Sequence, residues 1–377
     1  MITTKEKKDL LNEILLLVVL EGFLLYGVAM ELIEYPGLLF TYPYLFLMLL
    51  AGVRICMQGN SWKEWLFILS MGVVALLSYK ASHDRAVLAI ALAVCCAKNV
   101  RLEKLVKLDF TVRIFSSIPY IVLPFIGVIP NHIEVVVGGR PRTFFGWYHP
   151  NSMGKCVMLI CMEWWYLRHG RFRWYDYVGM TGLVVLLDVP ANSRTSERVI
   201  LGMLFVEILG NIFKRINKSV SIAWTVLTAV SFGSAVTLPG LAVLFYESYS
   251  NIILERMGNI GSRFYLTWNF VQSHGLTLFG SAYTSGSDEY LDMLFANAFF
   301  LRGIVFGAIL IVLSVLSIRY AYREKDERYL LLLFVFFTYG MMECEHLNPI
   351  YAFFPVLFGI PVFDQKNQPN TEVEEKG

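Results

Sequence analysis

SMGKCVMLICMEWWYLRHGRFRWYDYVGMTGLVVLLDVPANSRTSER, residues 152–198, holds two apolar runs, near 152–167 and 174–190. The connection between them carries Arg168, Arg171 and Arg173, and the second run leads into the polar segment ANSRTSER. Runs of about 15 to 25 apolar residues suffice to cross roughly 30 Å of hydrocarbon. The same alternation of apolar run and polar connection extends to both ends of the chain, so lipid is the solvent for which this sequence is built.

Composition agrees. Of 377 residues 56% are hydrophobic and 16% charged, and the mean hydropathy of +0.56 lies outside the range usual for soluble globular proteins. The formal net charge is +2, and the basic residues are dispersed rather than gathered in a stripe or tail, which argues against a nucleic-acid partner. Cys56, Cys95, Cys96, Cys156, Cys161 and Cys344 stand in apolar runs without metal-type spacing and read as small core residues. No metal and no cofactor is expected. Lys5, Lys7 and Lys8 precede a long apolar run with no small-residue cleavage site after it, so that run reads as a first membrane helix. Neither a glycine-rich nucleotide cradle nor an internal repeat is present, which argues against an ATP-driven mechanism within the chain.

The apolar runs fall near 11–31, 37–53, 64–79, 84–97, 110–130, 152–167, 174–190, 198–213, 219–245, 303–320, 328–342 and 349–363. The expectation is therefore an all-α polytopic integral membrane protein of about twelve transmembrane helices, forming a single membrane domain over 1–377. Basic residues favour cytoplasmic connections. Arg54 and Lys63; Lys98, Arg101, Lys104 and Lys107; Arg168, Arg171 and Arg173; Lys214, Arg215 and Lys218; and Arg319, Arg323, Lys325 and Arg328 occupy alternate connections. Both termini are then cytoplasmic, and 131–151, 191–198, 246–302 and 343–348 lie outside. The longest of these, 246–302, reads as an ordered functional loop. Within it YLDMLFANAFFL, residues 290–301, is too short to span and reads as an interfacial helix on the outer leaflet.

This orientation places Arg85, Arg140, Arg142, Arg194, Arg198, Arg256, Arg263 and Arg302 outside, with almost no lysine. A guanidinium stays charged and presents a fork matched to phosphate oxygens, so the selection favours a phosphate or pyrophosphate ligand. These arginines could instead anchor loops on lipid headgroups or pair with Glu134, Glu197, Glu255, Asp288 and Glu289. His83, His132, His149, His274 and His346 share that side. Two of them have neighbours suited to proton transfer: His149 in RPRTFFGWYHPNSMG, and His274 at the end of a helix that begins near Arg263 and stops at Gly275. Arg263 and His274 would then border one outer cavity. Glu21, Glu31, Glu343 and Glu345 are costly against lipid and must face protein or water, as a proton relay or as arginine partners.

RPRTFFGWYHPNSMG resembles the arginine, glycine and His-Pro-Asn loop of Wzy-type O-antigen and capsular polysaccharide polymerases and the related O-antigen ligases. NSRTS is similar to their Ser-Arg motif one helix pair later, and the long outer loop, with its arginine-aromatic helix and glycine-bounded turn, is similar to their third signature. The resemblance covers about 135 to 305. It implies a GT-C-like fold of the lipid-sugar glycosyltransferase type, in the bacterial cytoplasmic (inner) membrane. It further implies polymerisation of undecaprenyl-pyrophosphate-linked oligosaccharide repeats on the extracytoplasmic side, by inverting transfer. Arg194 and Arg263 would hold the pyrophosphate, with Arg140 or Arg142 at the same pocket. His274 is the first choice of base and His149 the second. The membrane lipid, a chain-length regulator and a flippase would be working partners.

An O-antigen-ligase-like transferase would need the same arginines and topology. A multi-pass transporter or flippase would place charged or helix-breaking residues at mid-membrane depth in matching positions of two halves, a pattern not seen here. A scaffold or sensor gives no reason for arginine and histidine to gather on one side.

Overall fold

The computed structural model describes residues 4–32, 41–135, 142–216, 220–284 and 289–364. The chain is mostly helical. Helices α1 (Thr4–Leu32), α2 (Thr41–Met57), α3 (Trp62–Ser82), α4 (Ala86–Cys95) and α5 (Leu102–Phe125) come first. An antiparallel pair follows, β1 (Ile133–Glu134) with β2 (Arg142–Thr143). Then come α6 (Pro150–Arg168), α7 (Trp174–Leu186), α8 (Arg194–Ile216), α9 (Val220–Met257) and α10 (Asn259–His274). The series ends with α11 (Leu294–Ala296), α12 (Ile304–Glu324), α13 (Glu327–Gly340) and α14 (Phe354–Phe363).

Among the described residues five helical stretches are long and apolar enough to cross a membrane: Glu6–Glu31, Trp62–Ser82, Leu102–Phe125, Ile222–Ser250 and Ile304–Glu324. Three shorter helices, α2, α4 and α14, are also apolar. The chain is thus a helical, membrane-compatible protein, and every apolar run read from the sequence overlaps one of its helices. Local signals explain several starts. Ser61 and Glu64 form a capping box on α3, with the Ser61 amide donating to Glu64 at 2.5 Å, and Asp326 accepts from the Tyr329 amide at 3.0 Å to open α13. In α13 the side chains from Tyr329 to Phe337 are buried on every face, as expected of a helix apolar all round.

Several charged groups inside the bundle are paired. Arg113 on α5 donates to Asp109 at 2.6 Å and to Glu163 of α6 at 3.1 Å, all three being buried. Glu21 of α1 is buried as well, so none of these faces lipid. One end of the bundle collects basic side chains through linked contacts. Lys98 pairs with Glu64 at 2.8 Å, Lys104 with Glu13 at 2.9 Å, Arg328 with Glu103 at 3.3 Å, and His169 lies between Glu207 and Glu327.

The stretch 246–302 differs from the expected loop. Its first part continues α9, which bends at Tyr249, and α10 then runs back along α9. The expected interfacial helix at 290–301 is instead a buried turn: α11 followed by a π-helical turn, Asn297–Leu301, with Leu294, Phe295, Ala296 and Ala298 fully buried. An interfacial helix needs a polar face to show to water. Here the one polar residue in LFANAFFL, Asn297, is itself 5% exposed, so the run packs inside. Just before it, Gly280 (φ 103°) crosses Gly303 (φ 101°) so closely that a Cβ on either would lie within 2.5 Å of the opposing backbone. The crossing seats 277–281 on the start of α12, where Ile304 and Val305 donate to Thr277 and Leu278.

Candidate functional site

At the opposite end from the basic cluster, four segments distant in sequence meet. The first is the turn before α6. His149 is the N-cap of α6, its Nδ1 accepting from the Asn151 amide at 3.1 Å, with Pro150 at the first helical position. The second is the end of α7, where a π-helical turn, Leu187–Ala191, gives way to Asn192 in the left-handed region (φ 49°), a conformation asparagine tolerates. Asn192 Oδ1 accepts from Arg194 Nε at 3.1 Å, aiming the guanidinium at the start of α8. Gly154 lets these two segments touch: a Cβ there would lie 1.9 Å from Ser193 Oγ. The motifs HPNSMG and NSR, over forty residues apart, are therefore in direct contact.

The third segment is α10, which brings Arg263, and the fourth is the turn between α13 and α14. Arg263 Nε donates to the Met342 carbonyl at 2.6 Å and Nη2 to Glu343 at 2.7 Å, while Asp292 lies 3.4 Å away. Asn151 Nδ2 donates to Glu343 at 3.4 Å, and Lys155 of α6 pairs with Glu345. Together with Arg142 of β2 and the stretch before α11, which brings Tyr290 and Asp292, they enclose a cavity of about 460 Å³ whose walls also include His149, Arg194, Arg263, Glu343 and Glu345.

The electrostatics favour an anion. Burial, with help from Asp292 and Glu345 and against Arg263, pushes the Glu343 carboxyl up to about 7. Burial also raises Asp292. Glu345 is held below the usual carboxylate range because Lys155 outweighs the burial that opposes it, and Lys155 cancels its charge. Arg194 has no carboxylate partner among the described residues, and Arg142 pairs loosely with Glu134 at 3.6 Å. Of the three guanidiniums, that of Arg194 is thus left without an acid partner among the described residues, while Arg142 and Arg263 are paired. The N-termini of α6 and α8 add their partial positive charge at the same wall.

No family model, curated protein or solved structure matches the chain.

Of the residues expected from the sequence, Arg142, Arg194, Arg263 and His149 line this one cavity. Arg140 lies outside the described residues. His274 is not brought to it. It sits at the far end of α10 from Arg263, eleven residues and so about 16 Å along the helix axis, where its Nε2 lies 2.9 Å from Glu289 and its ring packs on Phe270. Glu289 is held down at about 2, the Thr284 amide and His274 outweighing burial. His149 lines the cavity, but its Nδ1 accepts a backbone N–H, so its neutral tautomer carries the proton on Nε2 and is a donor there. Burial lowers its pKa and keeps it neutral. The sequence reading missed Asp292 and Tyr290; the signal was a lone acid in the apolar run YLDMLF. His346, buried among Phe336, Tyr339 and Phe354, is a core residue.

Proposed function

We propose that the chain is an extracytoplasmic polymerase of undecaprenyl-pyrophosphate-linked oligosaccharide repeats, spanning the bacterial cytoplasmic membrane about twelve times with both termini inside. The observation that carries this is the convergence of Arg142, Arg194 and Arg263, from three separate segments, with two helix N-termini on one cavity at the end of a membrane-compatible bundle. The short helices α4 and α14 would count among the spans, and the basic end of the bundle would face the cytoplasm.

In this reading Arg194 and Arg142 grip the pyrophosphate, Arg263 approaches it from the opposite wall, and His149 donates from Nε2. As the bond from the anomeric carbon to the phosphate oxygen breaks, the guanidiniums take up the charge that develops on that oxygen. A hydroxyl of the acceptor sugar attacks from the opposite face, forming the new glycosidic bond and inverting the anomeric carbon. Its proton passes to a carboxylate of the cavity. Glu343 fits best, because it hangs from Arg263 and Asn151 and titrates near neutral pH, where a general base is most effective. This moves the base from the expected histidines to an acid.

The test is genetic and chemical. In a null strain single lipid-linked repeats should reach the outer face and fail to polymerise. Wild type should restore long chains, and Arg194→Lys or Arg263→Lys, at matched protein levels, should not. Long lipid-linked chains accumulating in the null would instead make the protein a ligase, and repeats trapped on the cytoplasmic leaflet would make it a flippase.

A further inference from the structure

A second chamber adjoins the arginine cavity. It encloses about 500 Å³ between the end of α3, residues 282–283 and 290–302, and the turn before α14. Its character is different. In place of clustered guanidiniums it presents tyrosine rings, with Tyr283 and Tyr290 nearly parallel (11°) at 6.4 Å between centroids and Tyr351 also in the wall. The chambers share Tyr290 and Glu345, whose side chains are joined by a hydrogen bond of 3.4 Å from the phenol to the carboxylate.

Two buried polar groups in the wall of this chamber lack hydrogen-bond partners among the described residues. Asn297 Oδ1 has none, its Nδ2 reaching the Leu291 carbonyl at 3.4 Å, and Arg302 Nη1 has none although Nε pairs with Asp84 at 2.8 Å. Each residue is 5% exposed. Orphaned buried donors and acceptors are costly, and each calls for a partner such as a water, an ion or a ligand. Here one acceptor and one cationic donor lie beside flat aromatic faces, a combination that suits a sugar: ring C–H faces against tyrosine, hydroxyls on the amide and guanidinium.

We propose that this second chamber is a carbohydrate subsite that holds the acceptor saccharide, with one hydroxyl directed past Tyr290 and Glu345 into the arginine cavity. The inference rests on the pyrophosphate reading of that cavity and adds where the second substrate lies. A transferase joining two glycans needs both partners at once, and the shared wall sets them side by side. Tyr290 and Glu345 become positioning residues at the junction.

The experiment uses the full chain in lipid nanodiscs and two probes: inorganic pyrophosphate, and the free oligosaccharide repeat released by mild acid from the lipid-linked pool of the host. Two variants alter only the second chamber. Asn297→Leu removes the orphaned acceptor at similar volume, and Ala282→Trp fills the chamber from its rim. The expected result is that both weaken saccharide binding about tenfold or more and leave pyrophosphate binding unchanged. Asn297→Leu should melt close to the wild-type temperature, the long 3.4 Å bond to Leu291 being lost together with the orphaned acceptor. A merely structural asparagine would give a lower melting temperature with saccharide affinity intact, and that result overturns the proposal, as does wild-type saccharide affinity in Ala282→Trp. Saccharide binding that depends on the chamber while pyrophosphate does not bind at all would uphold this inference and sink the pyrophosphate reading.

Discussion

Two places in this molecule set an arginine between two acids, and they differ in what else they touch. Inside the bundle, Arg113 is clasped by Asp109 and Glu163 and is 3% exposed. At its end, Arg263 is clasped by Glu343 and Asp292, but that trio lines a cavity that Arg194 also lines, without an acid partner among the described residues. The first arrangement is closed, and its charges have spent their interactions on one another. The second is open and leaves one guanidinium, that of Arg194, without an acid partner among the described residues. An arginine with acidic partners therefore says little about function until the surroundings show whether charge is left over.

Substitution should separate the two sites. The largest effect on stability is expected at the closed site: Arg113→Met leaves buried acids without their counter-charge and should cost about 3–5 kcal/mol, read as collapse of the melting temperature and loss of folded protein in detergent. At the open site Arg194→Lys should melt within about 0.5 kcal/mol of wild type, being an exposed substitution, yet lose on the order of a hundredfold in polymer formation. Equal melting losses at both positions would erase the distinction.

Next in size is the pH profile. The Glu343 carboxyl is raised from the ordinary 4.5 to about 7. A base must be deprotonated, so polymerisation should rise as pH passes upward through about 7, and Glu343→Gln should abolish most activity and flatten the rise. Stability should move the other way. The folded state holds this proton more tightly than the unfolded state, so Glu343 makes the fold less stable as pH climbs from 4.5 toward 7, and the glutamine variant should lack that slope. Smaller again is Gly154→Ala, whose methyl would collide with Ser193 and separate the starts of α6 and α8, with an overpacking cost of about 1–3 kcal/mol and weaker pyrophosphate affinity. Smallest is His274→Ala. It loses a contact to Glu289, neither residue lining the cavity, and should keep activity within about twofold.

The membrane character and the positions of the helices were legible because the apolar period and its basic punctuation are local properties of the chain. The helix from 259 to 274 was legible for the same reason, since Gly275 stops it. So were the arginines at 142, 194 and 263, because guanidiniums concentrated on one side stand out against an apolar background. What could not be read was which neighbours each would meet. His274 shares a helix with Arg263, and the sequence suggested a shared cavity, but helical rise sets them at opposite ends. The acids that complete the site, Asp292 and Glu343, lie about fifty residues apart and meet only because α10 folds back and the 290–301 run turns inward. That inward turn was misread as interfacial: an apolar run of this length looks the same whether it rests on a bilayer or fills a core, and Gly280 against Gly303 decides the matter by a long-range contact.

The central claim, that the arginine cavity holds a lipid-linked pyrophosphate, is tested most directly by comparing undecaprenyl pyrophosphate with undecaprenyl monophosphate as ligands of the full chain in nanodiscs. Wild type should prefer the pyrophosphate by at least about tenfold, as befits an added charge-assisted contact of about 1.5–3 kcal/mol, and Arg194→Lys should lose this preference while remaining folded. Equal affinity of wild type for the two lipids, or a preference that survives in Arg194→Lys, would contradict it.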